Sequence, residues 1–292
     1  MSPRDPSRAP AESHACAGTR RAAIIGCGYV GSALARALLE RGCDVIGTTT
    51  TPDRCASIEA SGVRAAVVSL GEGDRLRDVL ADRDLVYLTV APRRRDVGDY
   101  RAVYERGMAE LLRAAHDTPV RRIVYTSSTR VYGQDDGSWV DERSATEPRD
   151  ERGRILLAAE QKLQERAEVG GARFDAAIVR LGGIHGPERS LSDRIRATAG
   201  SRRADGEAFV NLIHRDDIVE VLYRLGDSGF TGVLNLTDGR PAPRRNLYDR
   251  ELAAAGLAPI RWENAPSLSR GKRVRSDRVR RELRWTPRRS AR

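Results

Sequence analysis

Short apolar runs alternate with stretches of helical periodicity along most of the chain. Near the N-terminus, RAAIIGCG (21–28) is an apolar run ending in glycine, SALARALLERG (32–42) has a helical period, and CDVIGTT (43–49) is a second, β-branched run. A strand, a helix and a second strand in this order predict a βαβ unit.

The same alternation continues toward the middle of the chain. Further strands are predicted at residues 63–70, 84–92, 121–128 and 174–183, with helices at 104–116 and 155–169 between them. Strands that alternate with helices in this way predict an α/β fold with a doubly wound parallel sheet, the Rossmann arrangement.

The alternation of predicted strands and helices becomes less regular after Pro187. Helices are predicted at residues 214–225 and 246–256, with a strand at 232–237. We therefore predict three parts: a disordered N-terminal tail (1–20), a dinucleotide-binding Rossmann domain (21–186) and a smaller C-terminal α/β substrate lobe with a basic end (187–292).

Composition places the chain among ordinary soluble proteins. It has 292 residues, of which 40% are hydrophobic and 32% charged, enough for one sizeable core. No apolar run reaches the roughly 18 residues of a membrane helix, and the first twenty residues lack the apolar segment of a secretion signal. The four cysteines show no C-x-x-C spacing, so we expect free thiols, no metal site and a cytoplasmic protein.

The net charge of +10 raises the question of nucleic-acid binding. Residues 261–292 hold twelve Arg or Lys against three Asp or Glu, so most of the excess lies at the C-terminus. Of the 51 basic residues, 49 are arginine, a skew more typical of genome base composition than of selection for a polyanion. The segment also lacks the interleaved aromatic residues that single-strand binding favours. We expect a small-molecule substrate, no nucleic acid, no membrane, and a monomer or homodimer.

The segment IIGCGYVGSALARAL carries G-x-G-x-x-G at Gly26, Gly28 and Gly31, after a predicted strand and before a predicted helix. The first glycine permits the tight turn, the second lets the backbone approach a pyrophosphate, and the third lets helix and strand pack closely. This context predicts dinucleotide binding. We interpret Cys27, inside the motif, as a small filler and not as a reactive thiol.

The end of the second strand bears on the choice of cofactor. NAD-binding folds place a carboxylate there for the ribose 2′-hydroxyl, whereas this chain has Thr49, Thr50 and Thr51, followed by Arg54. Hydroxyls and an arginine suit a 2′-phosphate, so we predict NADP. NAD remains an alternative, because the threonines could simply end a strand and Arg54 could be solvated.

From Arg21 to Pro287 the chain resembles atypical or extended short-chain dehydrogenases/reductases of the NAD-dependent epimerase/dehydratase type. Beyond the glycine loop, five stretches in the family's order carry the resemblance: VYTSSTRVYG (124–133), IVRLGGIHGPER (178–189), VNLIHRDDIVEVL (210–222), GVLNLTDGRPAP (232–243) and GKRVRSDRVRRELRWTP (271–287). The resemblance implies that Ser128 occupies the position of the catalytic serine.

The segment EPRDERGRILLAAEQ (147–161) departs from the family's pattern. Family members carry Tyr-x-x-x-Lys there, and alignment on AAE, ending at Glu160, puts Arg152 at the tyrosine position and Leu156 at the lysine position. Arginine is effectively never deprotonated and leucine cannot bond a ribose, so the pair cannot act as the family's does. Arg152 could still donate hydrogen bonds to an oxyanion or a substrate carboxylate.

Other residues are candidates for the chemistry. His185 lies on the stretch that the family uses beside the nicotinamide, although a hydrogen-bonded loop histidine is the competing interpretation. We interpret Tyr132 as packing, and His214, Asp216 and Asp217 as capping the next helix instead of binding metal.

The predicted catalytic residues are Ser128, Arg152 and His185. The predicted cofactor-binding residues are Gly26, Gly28, Tyr29, Val30, Gly31, Thr49, Thr50, Arg54, Leu70, Val90, Ala91 and Gly183. Two functions remain open: an NADP-dependent oxidoreductase or epimerase/dehydratase acting on a polar or anionic metabolite, and a non-catalytic NAD(P)-binding redox sensor or regulatory protein.

Overall fold

The computed structural model of the protein describes residues 20–94, 96–168, 174–263 and 270–289. The predicted N-terminal tail lies outside these ranges apart from Arg20, and so does Cys16. Cys27, Cys43 and Cys55, the cysteines within these ranges, form no disulfide, as expected. None of the helices within these ranges has the length and apolar character needed to cross a membrane.

Helices and strands follow one another in the predicted order. The strands are β1 (Arg21–Ile25), β2 (Asp44–Thr49), β3 (Arg64–Val67), β4 (Leu85–Leu88), β5 (Arg122–Ser128), β6 (Asp136–Val140), β7 (Asp175–Leu181), β8 (Gly183–His185), β9 (Arg202–Arg203), β10 (Phe209–Val210), β11 (Leu212–His214), β12 (Gly232–Leu236), β13 (Ala242–Pro243), β14 (Arg261–Trp262) and β15 (Gly271–Val274).

The α-helices are α1 (Tyr29–Leu39), α2 (Cys55–Glu59), α3 (Gly73–Leu80), α4 (Val97–Tyr100), α5 (Gly107–His116), α6 (Glu151–Glu168), α7 (Leu191–Arg196), α8 (Arg215–Asp227), α9 (Arg244–Ala254) and α10 (Asp277–Leu283). A π-helical segment, Arg101–Arg106, joins α4 to α5.

Seven parallel strands form the main sheet, in the order β12-β7-β5-β4-β1-β2-β3. The chain runs outward from β1 through β2 to β3, and then returns to the other side of β1 with β4. This reversal creates a switch point between β1 and β4, where a ligand crevice is expected at the carboxyl ends of the strands. The predicted doubly wound Rossmann sheet is confirmed.

Helices cover both faces of this sheet, because its strands are apolar on both sides. One face packs against α3, α5 and α6, which contribute buried residues such as Leu76, Leu111 and Leu163. The opposite face packs against α1 and α8, with Leu34 and Leu222 among the buried residues. The core therefore has two apolar layers, one on each side of the sheet.

The C-terminal third contains several small paired strands and a separate apolar cluster. Leu212, Leu247 and Leu252 belong to this cluster, together with residues of α7 and the segment before β14. However, β12 returns to the edge of the main sheet, and α8 packs beside α1. The segment predicted as a smaller lobe therefore contributes one strand, β12, to the main sheet. The division of the chain after residue 186 stays a prediction.

A buried ion pair joins the central strands to α6. Glu160 is fully buried on α6, and Arg180 of β7 donates to both of its carboxylate oxygens, with its Nη2 atom 2.6 Å from Oε2. Ser127, at the end of β5, also donates to Glu160. Burial lowers the pKa of the Arg180 guanidinium, but the hydrogen bonds and charge of Glu160 raise it above its ordinary value. The Arg180 guanidinium therefore remains charged in the interior.

Tyr132 extends this network to the edge of the sheet. Its hydroxyl accepts a hydrogen bond from Arg180 Nη1 at 2.9 Å and donates to Asn235 Oδ1 of β12, also at 2.9 Å. The interpretation of Tyr132 as a packing residue is consistent with its 2% exposure.

Glu160→Gln should lower the free energy of unfolding by about 3 to 5 kcal/mol, because it leaves the Arg180 charge buried without a counter-charge. Chemical denaturation would measure the change. Glu282→Gln is the control, since it breaks the exposed Arg278–Glu282 pair of α10 and should cost less than about 1 kcal/mol. Equal effects of the two substitutions would contradict a structural role for the buried pair.

Candidate functional site

The glycine loop connects β1 to α1, and each of its glycines has a distinct environment. Gly26 has a φ of +96°, which disfavours other residues, and a Cβ on it would come within 2.9 Å of Val90. A Cβ on Gly31 would lie 2.3 Å from the Gly26 carbonyl oxygen, so helix and strand pack here without room for a side chain. A Cβ on Gly28 would meet nothing closer than 4.0 Å. Gly28 therefore leaves open space in front of the N-terminus of α1.

A cavity of about 690 Å³ opens at this point, at the carboxyl ends of the central strands. Ten of the twelve predicted cofactor residues line it: Gly26, Gly28, Tyr29, Val30, Thr49, Thr50, Arg54, Leu70, Val90 and Ala91. Gly31 lies beneath the loop as a packing position, and Gly183 is flanked by the lining residues Gly182 and Ile184. The structure thus brings together the residues that could hold a dinucleotide.

The end of β2 provides hydroxyls and no acid to the cavity wall. Thr49 and Thr50 line the cavity with Arg54, and among the described residues the Arg54 guanidinium makes no ion pair with a carboxylate. Thr48 is buried and accepts a hydrogen bond from Gly26 N at 3.0 Å, which ties β2 to the glycine loop. Among the described residues of the cavity wall, Asp99 of α4 is the only one with a carboxylate.

Cys27 is 1% exposed, and burial raises the pKa of its thiol to about 11, despite the opposing charge of Arg54. A thiol with this pKa is almost entirely protonated near neutral pH, so it is a poor nucleophile. A Cβ on Gly47 of β2 would lie 2.3 Å from Cys27 Sγ. Cys27 is therefore packed tightly against β2, in agreement with its interpretation as a filler.

Ser128 and Leu156 line the end of the cavity formed by β5 and α6. Ser128 is the last residue of β5, and its Oγ accepts a hydrogen bond from Arg130 N at 3.2 Å, which begins a 3₁₀ turn. The hydroxyl proton of Ser128 remains able to donate to a ligand in the cavity. Leu156 presents an apolar side chain to the same space.

Arg152 does not line the cavity, but it lies beside a residue that does. Its guanidinium carbon is 6.0 Å from the ring centroid of Tyr100, a cavity-lining residue. Its Nη2 is 3.6 Å from Asp150 Oδ2, and Arg130 also forms an ion pair with Asp150. Two guanidinium groups therefore share one carboxylate next to the Ser128 turn.

His185 lies on β8, paired in parallel register with His214 of β11. It is 6% exposed and is absent from the cavity wall, where its neighbour Ile184 is present. Burial, followed by the nearby His214, lowers its pKa. Its Nε2 has no hydrogen-bond partner within the described ranges. The catalytic role of His185 stays a prediction, and its position gives it no direct access to the cavity.

His214 and the acidic pair after it have structural roles. His214 Nδ1 accepts a hydrogen bond from Asp216 N at 3.1 Å and so caps α8. Asp217 is buried and accepts hydrogen bonds from the backbone amides of Arg288 and Arg289. Within the described part of the chain, no group of three or more His, Cys, Asp or Glu residues could hold a metal ion.

Several residues of the cavity wall were not predicted from the sequence. They include Ser69, Asp99, Tyr100, Tyr104, Thr126 and Arg189. Tyr100 directly precedes the π-helical segment and Tyr104 lies within it. The wider turn of such a segment has no simple sequence signature, although these turns are frequent at functional sites. Arg189 ends the quoted motif IVRLGGIHGPER, so its place in a family motif was the signal that could have indicated it.

Comparison with known proteins decides the family. Residues 22–235 match the family model described as the NAD dependent epimerase/dehydratase family. The chain belongs to this family. Its members use a nicotinamide cofactor, so membership supports an NAD(P)-dependent enzyme, and the predicted resemblance is confirmed at this level.

Relatives align over most of the chain. Protein YeeZ of Escherichia coli (strain K12) is 32% identical over 270 residues, which are 90% of this chain and 94% of YeeZ. A 4-hydroxy-2-methyl-3-oxo-4-farnesyl-3,4-dihydroquinoline-1-oxide ketoreductase of Stigmatella aurantiaca is 26% identical over 244 residues, covering 80% of this chain and 72% of the ketoreductase.

Solved structures share the fold. MoeE5 in complex with UDP-glucuronic acid and NAD superposes with a TM-score of 0.80 at 21% identity, covering 92% of this chain and 94% of MoeE5. At this level of identity, the likeness shows the Rossmann-type fold alone.

The surroundings of Gly28 and Gly31 predict that valine at the first position affects cofactor binding and that valine at the second affects stability. Gly28→Val should leave thermal unfolding nearly unchanged and abolish NADPH binding, because its side chain enters open space that a pyrophosphate needs. Gly31→Val should lower stability, since its Cβ has no room against Gly26 and Thr89. Calorimetric unfolding and NADPH titration of both variants would test this, and unaltered NADPH binding by Gly28→Val would rule out the assigned cradle.

Proposed function

We propose that the protein is an NADP-dependent oxidoreductase or epimerase/dehydratase that acts on a polar, anionic small metabolite without the family's usual Tyr-x-x-x-Lys pair. The observation that carries this proposal is that one cavity is lined both by the glycine loop and by Ser128 and Leu156. A dinucleotide bound along it would supply hydride transfer at its nicotinamide, and the chain's residues would position the substrate.

The proposed preference for NADP over NAD depends on the part of the cavity wall formed by the end of β2 and the turn after it. Thr49, Thr50 and Arg54 line the cavity, and none of its lining residues from β2 or the following turn is acidic. A carboxylate would repel a 2′-phosphate, whereas an unpaired guanidinium and hydroxyls can donate hydrogen bonds to it. The absence of an ion pair on Arg54 among the described residues leaves its charge available.

An anionic substrate is supported by the charges beside the Ser128 turn. Asp150 is the carboxylate between Arg130 and Arg152, and Lys272 lies close enough for its charge to interact with Arg130 and Asp150. Burial, together with the charge of Arg130, lowers the pKa of the Lys272 ammonium to about 8, so the group is still mostly protonated at neutral pH. In this group, the positive charges of two arginines and Lys272 outnumber the negative charge of Asp150. This excess of positive charge favours a negatively charged ligand group nearby.

Within this proposal, Ser128 donates a hydrogen bond to the substrate oxygen, and Arg152 orients the anionic group. Proteins with related sequence or fold support a carbonyl or sugar-nucleotide substrate class: the Stigmatella relative is a ketoreductase, and MoeE5 was solved with UDP-glucuronic acid and NAD. Leu156 and Arg152 cannot perform the family's proton transfer.

Leu156 also favours a second candidate, a non-catalytic NAD(P)-binding redox sensor. It gives the cavity an apolar side chain where the family's lysine would hold the ribose. A protein that binds NADPH tightly and turns over no metabolite would support this alternative.

NADPH should bind more tightly than NADH in titration calorimetry, and Arg54→Ala should remove most of the difference. NADPH affinity should fall about tenfold or more, because the variant loses the charge-assisted hydrogen bonds between the Arg54 guanidinium and the 2′-phosphate. Arg64→Ala is a matched control, because Arg64 on β3 is exposed, pairs with Asp44 and does not line the cavity. Tighter binding of NADH by the wild-type protein would overturn the NADP assignment.

Arg152→Ala should reduce retention of anionic metabolites while leaving NADPH affinity within twofold, since Arg152 lies outside the cofactor-lining set. The measurement is mass spectrometry of metabolites that co-elute with NADP-saturated protein from a metabolite extract. Arg154→Ala, on the same helix, provides the control. If both variants retain the same metabolites as the wild type, Arg152 does not orient the substrate.

A further inference from the structure

Tyr29, the first residue of α1, lies between two guanidinium groups. The guanidinium carbon of Arg189 is 4.2 Å from the centroid of the Tyr29 ring, and that of Arg215 is 5.0 Å away. The Tyr29 hydroxyl donates a hydrogen bond to the Pro187 carbonyl oxygen at 2.7 Å. The loop after β8 is therefore attached to the N-terminus of α1, directly after Gly28.

The backbone of this loop is held in a tight turn. Arg189 N donates to Gly186 O at 3.1 Å, and Gly186 N lies 3.4 Å from Arg189 O, so the two residues form an antiparallel bridge. Gly186 has a φ of +145°, and a Cβ there would lie 2.9 Å from the Tyr29 hydroxyl. Glu188, within the turn, has a φ of +63°. This close approach determines where the backbone of Arg189 lies.

The two arginines on Tyr29 differ in their surroundings. Arg215 is 3.2 Å from the carboxylate of Asp216 and does not line the cavity. Arg189 lines the cavity, and no ion pair neutralises it among the residues that the structure describes. Of these two arginines, Arg189 is therefore the one that brings to the cavity wall a positive charge that no carboxylate among the described residues neutralises.

We propose that Arg189 binds the pyrophosphate of the dinucleotide from the side opposite the glycine loop, with Tyr29 as the platform that orients its guanidinium. This inference rests on the proposed function, because it assumes that the cavity holds a dinucleotide. The helix N-terminus supplies amide donors and a partial positive charge. Arg189 supplies a full charge and a planar set of donors, which suits two adjacent phosphates.

Stacking on Tyr29 gives this arrangement a physical advantage. An exposed arginine loses side-chain freedom when it binds an anion, and contact with an aromatic face restricts the guanidinium beforehand. Tyr29 follows Gly28 directly, and both residues line the same cavity. The loop from β8 thus contributes to a site whose other half comes from β1 and α1.

Two fragments of the cofactor separate this role from that of Arg54. ADP-ribose contains the pyrophosphate without a 2′-phosphate, and 2′-AMP contains a 2′-phosphate without the pyrophosphate. Arg189→Ala should weaken ADP-ribose binding roughly 10- to 150-fold, the range for hydrogen bonds to charged groups, and leave 2′-AMP affinity within twofold. Arg54→Ala should do the reverse.

Arg215→Ala is the matched control, because it removes the other guanidinium from Tyr29 without touching the cavity. It should leave the affinity for ADP-ribose within twofold, while Arg189→Lys should recover part of the loss through its charge. Isothermal titration calorimetry measures the affinities, and thermal unfolding checks that each variant is folded.

Unchanged ADP-ribose affinity in a folded Arg189→Ala variant would overturn the inference and leave the proposed function standing. An equal loss in Arg215→Ala would also overturn it, because the effect would then arise from the Tyr29 platform. If the wild-type protein bound neither NADPH nor ADP-ribose, the proposed function itself would fail.

Discussion

The ion pair between Glu160 and Arg180 joins the elements that form the Ser128 end of the cavity. Glu160 accepts from Ser127, the residue before Ser128, and lies one helical turn after Leu156. Arg180 continues the network through Tyr132 to the edge strand β12. A buried pair of this kind has strict geometric requirements, because both charges need their hydrogen bonds to offset the loss of water. It therefore restricts the position of the serine turn relative to α6.

The opposite end of the cavity depends on close backbone approach. Gly31 allows α1 to pack against the Gly26 carbonyl, and Thr89 of the next strand donates to that same carbonyl at 2.9 Å. This packing brings the N-terminus of α1 to the switch point of the sheet, and Gly28 leaves space in front of it. The two ends of the cavity are thus positioned by different forces, tight packing at one and buried charge at the other.

Three of the arginines in or beside the cavity have a role under the proposed function. Arg54 lies after β2, Arg189 after β8, and Arg152 beside Tyr100. Each is positioned by a different part of the chain, and each fits a different anionic group under the proposed function: a 2′-phosphate, a pyrophosphate and a substrate anion. Arginine suits all three, because it remains charged when partly buried and donates several hydrogen bonds in one plane. The proposed function does without the family's proton-transferring pair, so positioning by charge is central to the proposed chemistry.

The sequence by itself determined the alternating strands and helices, the doubly wound sheet and the glycine cradle. These features depend on short-range patterns: apolar periodicity, and glycines at spacings that a tight turn requires. Ten of the predicted cofactor residues line the cavity for the same reason, since they follow directly from the ends of recognisable strands.

Only the tertiary structure decided which distant side chains meet. Tyr29 and Pro187 are 158 positions apart, yet they share a hydrogen bond that brings Arg189 to the glycine loop. His185 is absent from the cavity wall although its neighbour Ile184 lines it, and Tyr104 lines the wall from within a π-helical segment. Such encounters depend on strand order, on loop path and on which face of a strand is covered, none of which is encoded in a local pattern of residues.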